Sequence, residues 1–79
     1  VHHNGKYGIF LADECTGSMI RNNVVYSNLH HGIVLYNGSN YNEVIGNTVY
    51  DNGGQGININ GSSANRVRDN AVYGNRLDP

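Results

Sequence analysis

Gly8-Ile9-Phe10-Leu11, Gly32-Ile33-Val34-Leu35 and Gly56-Ile57-Asn58-Ile59 stand 24 residues apart, and this recurrence decides the fold. A fixed period of this length marks a chain built from stacked repeats. Two more matches follow each tetrapeptide. The first is Ser18-Met19-Ile20, Asn42-Glu43-Val44 and Asn65-Arg66-Val67. The second is Asn23-Val24-Val25-Tyr26-Ser27-Asn28, Asn47-Thr48-Val49-Tyr50-Asp51-Asn52 and Asn70-Ala71-Val72-Tyr73-Gly74-Asn75. The last repeat is one residue shorter, and the loss falls between Gly61 and Asn65, which predicts a loop there.

Within each unit the apolar period is two, the period of a strand. Ile9 and Leu11, Ile33 and Leu35, and Ile57 and Ile59 are expected to face one way, with Phe10, Val34 and Asn58 facing the other. A short second strand centres on Ile20, Val44 and Val67. A third turns Val25, Val49 and Val72 inward and Tyr26, Tyr50 and Tyr73 outward. No segment holds a 3.6-residue period long enough for a helix. Three short strands per repeat in parallel register predict an all-β fold, a right-handed parallel β-helix of about three rungs, with residues 1–79 as one segment. A leucine-rich repeat shares the period but requires more leucines and a convex segment in each unit.

Composition agrees. Fourteen Asn and eleven Gly beside abundant Val, Ile and Tyr describe short strands broken by frequent turns, and the regular Val/Ile spacing argues against disorder. Stacked rungs set like on like, so Asn23, Asn47 and Asn70 are expected to form one amide ladder and Asn28, Asn52 and Asn75 another. Asn also accepts the left-handed backbone of tight corners. These asparagines are therefore read as corner ladders and not as ligands.

A net charge of −1, with five Lys/Arg scattered along the chain, gives no basic stripe and makes nucleic acid an unsuitable partner. No apolar run is long enough to span a bilayer, and nothing reads as a signal peptide. The lone Cys15 cannot form an internal disulfide and is assigned to packing. The opening Val-His-His-Asn reads as the middle of a longer solenoid. Open end rungs without polar caps are expected either to continue into further rungs or to stack end to end on copies of the chain.

A flat β-helix face suits an extended polymer, because successive rungs meet successive units. The side chains expected on it are Lys6, Tyr7, Asp13, Glu14, His30, His31, Tyr36 and Asn58. In-register stacking places Tyr7 directly beneath His31 and puts Asp13 at the other end of the first strand. Asp13 and Glu14 are oxygen ligands of the kind calcium takes.

Three segments, GIFLAD (8–13), NNVVYSNLHHGI (22–33) and GNTVYDNGGQGI (46–57), make the chain resemble the catalytic module of secreted, modular mannuronan C5-epimerases. The third is common to many solenoids of carbohydrate-active proteins. The resemblance covers nearly the whole chain. It implies an extracellular protein whose partner is an alginate-like anionic polysaccharide; calcium, the one cofactor expected, follows from the Asp13-Glu14 pair and not from the resemblance. It places Asp13 in the active cleft and matches His31 to a family histidine; Tyr7 is a candidate proton donor by its own chemistry, although a tyrosine at the head of a rung more often packs. His30 stands where the family carries arginine, whose planar fork suits a carboxylate better than imidazole does. Lys6, His30, Tyr36 and Asn58 are then substrate-binding.

The family signature Tyr-Gly-(Phe/Ile/Val)-Asp-Pro-His-(Asp/Glu) is not found. Tyr7-Gly8-Ile9 imitates its start, but Phe10-Leu11-Ala12 follows. Epimerising a uronate requires the carboxylate to be neutralised, the C5 proton removed and a proton returned to the opposite face, and a lyase expels the C4 oxygen instead. Without the signature tyrosine and histidine, little turnover is expected. The other readings are a saccharide-binding module dependent on Tyr36 and His31, and a structural solenoid that builds fibres.

Overall fold

A computed structural model describes residues 1–77. Nine strands follow in order: β1 (Ile9–Ala12), β2 (Met19–Arg21), β3 (Val24–Tyr26), β4 (Ile33–Tyr36), β5 (Glu43–Ile45), β6 (Thr48–Tyr50), β7 (Ile57–Asn60), β8 (Arg66–Arg68) and β9 (Ala71–Tyr73). They form three parallel sheets, β1-β4-β7, β2-β5-β8 and β3-β6-β9, each taking one strand from every repeat. This is a three-rung parallel β-helix. The register is the sequence period: Ile9 pairs Ile33 and Ile33 pairs Ile57. The missing residue shows as a step between Tyr36↔Asn60 and Glu43↔Arg66, in the loop that carries Gly61.

The interior is a column of aliphatic side chains. Ile20, Val25, Ile33, Leu35, Val44 and Val49 are buried, with Ile9, Leu11, Ile57 and Val72 packed partly against them. Each such burial stabilises by about 1.5–3 kcal/mol. Most of the fully buried members belong to the middle rung, which has a neighbour on both sides. Ile59 and Val67 carry the same pattern yet stay 42% and 38% exposed, because no rung covers them among the described residues. The glycines heading the first two repeats have a packing cause. A Cβ on Gly32 would lie 2.6 Å from both Gly56 O and Val49 Cγ1, and one on Gly8 would lie 2.6 Å from Val25 Cγ1.

The corners are held by asparagine. Asn52 Oδ1 accepts from Asn28 N (3.1 Å) and Asn28 Nδ2 (2.9 Å), and Asn52 Nδ2 donates to Asn75 Oδ1 (2.8 Å) and Val25 O (3.3 Å). The same scheme joins Asn23, Asn47 and Asn70, and Asn4 extends the other ladder below Asn28. A third ladder, Ser18, Asn42 and Asn65, uses backbone N–H to side-chain oxygen bonds and was not anticipated. The left-handed backbone also sits elsewhere than expected. It falls on the residue before each ladder position, including Tyr41, Ala64, Asn22, Asp69, Ser27 and Asp51. Such a residue costs about 1 kcal/mol or more when it is not glycine. The turn aims the following asparagine inward, and its bonds offset the cost.

Outside β3-β6-β9 the tyrosines form a flat stack, Tyr26–Tyr50 at 5.1 Å and Tyr50–Tyr73 at 5.4 Å between centroids, with His2 laid on Tyr26 at 4.7 Å. Replacing Asn52 by Ala strands the Asn28 amide and Val25 O inside the molecule. Unfolding in urea is expected to show Asn52→Ala less stable by about 2–4 kcal/mol, whereas the exposed Asn60→Ala changes stability by under about 0.5 kcal/mol.

Candidate functional site

Four columns of side chains run up the outside of the β1-β4-β7 sheet, each spaced by one repeat. Phe10, Val34 and Asn58 point outward from the strand centres, and Ala12, Tyr36 and Asn60 follow at the strand ends. Ahead of the strands the loops contribute Tyr7, His31 and Gln55, and Lys6, His30 and Gly54. The second loop column is tied by backbone bonds: His30 N donates to Lys6 O (2.7 Å) and Gly54 N to His30 O (2.8 Å).

Lys6, Tyr7, Phe10, His31, Val34, Tyr36, Asn58 and Asn60 enclose a cavity of about 300 Å³, at the small end of ligand sites. Val34 is its floor, only 3% exposed although it faces away from the core. The walls are aromatic. Tyr7 lies flat on His31, with centroids 5.6 Å apart and planes within 4°. Phe10 packs against Tyr7 at 4.9 Å and Tyr36 at 6.2 Å. Lys6 Nζ sits 5.3 Å from the centre of the Tyr7 ring, within cation–π range. Asn58 Nδ2 donates to Gln55 Oε1.

His31 Nδ1 accepts a hydrogen bond from Gln55 N at 2.8 Å. Burial, and secondarily the neighbouring His30, lower the His31 pKa from its ordinary value of 6.5.

Five of the eight residues expected on this face therefore meet in one cavity: Lys6, Tyr7, His31, Tyr36 and Asn58. Asp13, Glu14 and His30 do not line it. Asp13 stands past the end of β1 with Oδ1 accepting from Asn37 Nδ2 (2.7 Å), and both Asp13 and Glu14 adopt left-handed backbone. His30 stands beside the cavity, its ring centroid 6.3 Å from that of Tyr7. Among the described residues there is no group of three or more His, Cys, Asp or Glu side chains that could hold a metal ion. Phe10, Val34, Asn60 and Gln55 were missed as site residues. Their signal was the period itself, since they share columns with Asn58, Tyr36 and His31.

The lowered His31 pKa has a thermodynamic sign. The folded chain keeps His31 neutral where the unfolded chain begins to protonate it. Its contribution is full above pH 6.5 and is lost as pH falls through the lower folded value. Urea midpoints of the native chain are expected to drop between pH 7 and pH 5 more steeply than those of His31→Gln; parallel slopes would remove His31 as a source.

No curated protein and no solved structure matches the chain. The family model described as right handed beta helix region does match, over residues 1–77. With its three parallel sheets and rung-by-rung register, the chain belongs to the right-handed β-helix family.

Proposed function

We propose that the cavity on the β1-β4-β7 face is a subsite for an anionic polysaccharide of the alginate type, laid across successive rungs. The observation that carries this reading is the gathering of three aromatic rings and one ammonium around a single small cavity. The aromatic faces cover the apolar C–H faces of a sugar ring, and Lys6 offers a charge-assisted hydrogen bond to its carboxylate. The resemblance to mannuronan C5-epimerases supplies the uronate. Such a polymer lies outside the cell, so the reading carries an extracellular location with it.

This segment binds and does not turn over. Asp13, the acidic residue that the resemblance assigns to the cleft, is held outside the cavity by Asn37, and the residues there with a proton to exchange are Lys6, Tyr7, His31 and Tyr36. Calorimetric titration with oligomannuronate is expected to show saturable binding by the native chain. Tyr36→Ala and Lys6→Ala should each weaken it about tenfold, some 1.4 kcal/mol. Proton NMR of polymannuronate incubated with the chain is expected to show no inversion at C5 and no new double bond. Unchanged affinity in both variants would mean that the groove is not the binding face.

A second reading, end-to-end self-association, draws on a different observation. Ile57, Ile59, Val67 and Val72 line an apolar hollow of about 330 Å³ beside Arg68, Asp69 and Asn70 on the outer side of the third rung. The first rung of a second copy presents the same strand pattern and would cover it, a head-to-tail contact that does not close. Light scattering is expected to show mass growing with concentration, and Ile59→Glu to stop that growth. A native mass independent of concentration would discard this reading.

A further inference from the structure

We infer that the Gly54–Gln55 segment of the third rung is a positioning device that presents His31 as a hydrogen-bond donor: Nδ1 is held as an acceptor, Nε2 carries the proton, and the ring meets an acceptor oxygen of the ligand rather than a proton to be removed. The last clause rests on the cavity being the ligand site. The tautomer does not.

The argument begins with the backbone. Gln55 N donates to His31 Nδ1 at 2.8 Å. A neutral imidazole has one donor and one acceptor nitrogen, so committing Nδ1 as acceptor puts the proton on Nε2. Nε2 makes no hydrogen bond among the described residues. The approach depends on glycine, because a Cβ on Gly54 would stand 2.5 Å from His31 Nδ1 and 3.0 Å from Cε1. Any larger residue would push the amide and the ring apart. From the other side Tyr7 lies flat on the ring and removes its freedom to tilt. His31 is thus held between the rung before it and the rung after it.

Protonation would convert Nδ1 into a donor facing another donor. That penalty acts in the same direction as burial and the nearby His30, both of which favour the neutral ring. The other titratable groups on this face are Tyr7 against the ring, Lys6 above Tyr7 and Tyr36 in the cavity wall, and none offers a carboxylate to stabilise an imidazolium. With its one basic lone pair committed, neutral His31 is not a base. Lys6 Nζ, the Tyr7 hydroxyl and His31 Nε2–H form a donor set, which suits the carboxylate or ring-hydroxyl oxygens of a uronate. Asn58, whose amide nitrogen is engaged by Gln55, keeps its oxygen for a sugar hydroxyl.

Long-range proton–nitrogen NMR correlation on the native chain tests this directly. Above the His31 pKa, Nδ1 is expected at the shift of an unprotonated nitrogen and Nε2 at that of a protonated one. A proton on Nδ1, or an even mixture of tautomers, overturns the inference whether or not any sugar binds. Gly54→Ala, if it folds, is expected to raise the His31 pKa toward 6.5 and mix the tautomers. Oligomannuronate binding then tests the donor role. His31→Gln, whose amide donates from a similar reach, should stay within about threefold of the native affinity, while His31→Ala should lose about tenfold. Equal losses in both variants would overturn the donor role. If the native chain binds no oligomannuronate, the proposed function fails, and the tautomer alone decides this inference.

Discussion

At each corner of the helix a side-chain oxygen of one rung receives the backbone N–H of the rung before it. The rest of the structure depends on that bond. Strands of three or four residues offer few ladder hydrogen bonds, and the turns between them leave N–H groups that a sheet cannot satisfy. The asparagine amide supplies the missing acceptor and returns its own protons to a carbonyl one rung back, as Asn47 does to Ile20 O and Asn52 to Val25 O. No buried side-chain nitrogen or oxygen is left without a partner among the described residues. Since both partners sit one repeat apart, the bond also sets the register. A slip of one residue would turn every inward Val and Ile to solvent.

Register then builds the β1-β4-β7 face. Once Ile33 is tied above Ile9, Tyr36 must stand above Ala12, His31 above Tyr7 and Gln55 above His31. The cavity exists because these columns are not uniform. Small or flat residues alternate with bulky ones, so Val34 forms a floor between Phe10 and Asn58, and Gly54 leaves room for the edge of His31. A face made of identical rungs would be a smooth ridge. Departure from the repeat is what makes a hollow, and the chemistry collects where the repeat is least exact.

The three faces differ for the same reason. On β3-β6-β9 the outward column is tyrosine at every level, and the rings close into a stack. On β1-β4-β7 the outward positions change from Phe10 to Val34 to Asn58, and from Ala12 to Tyr36 to Asn60, so the surface alternates between aromatic walls and polar gaps. The first arrangement stiffens the solenoid. The second leaves a hollow.

Periodicity alone determined the strands, their three sheets, the shortened loop and the inward set from Ile9 to Val72, because parallel stacking converts a linear spacing directly into contact. It also determined that Tyr7 lies beneath His31, and it brought Lys6, Tyr36 and Asn58 onto the same face. The tertiary structure decided what spacing cannot encode. Left-handed backbone falls one residue before each ladder asparagine, a choice made by corner sterics. Asp13 turns to Asn37 and leaves the cavity, since a side chain just past a strand end is aimed by its turn and not by the strand's alternation. The Gln55 amide reaches Nδ1 of His31 because a backbone group carries no letter in the sequence, and only the distance between two rungs reveals it.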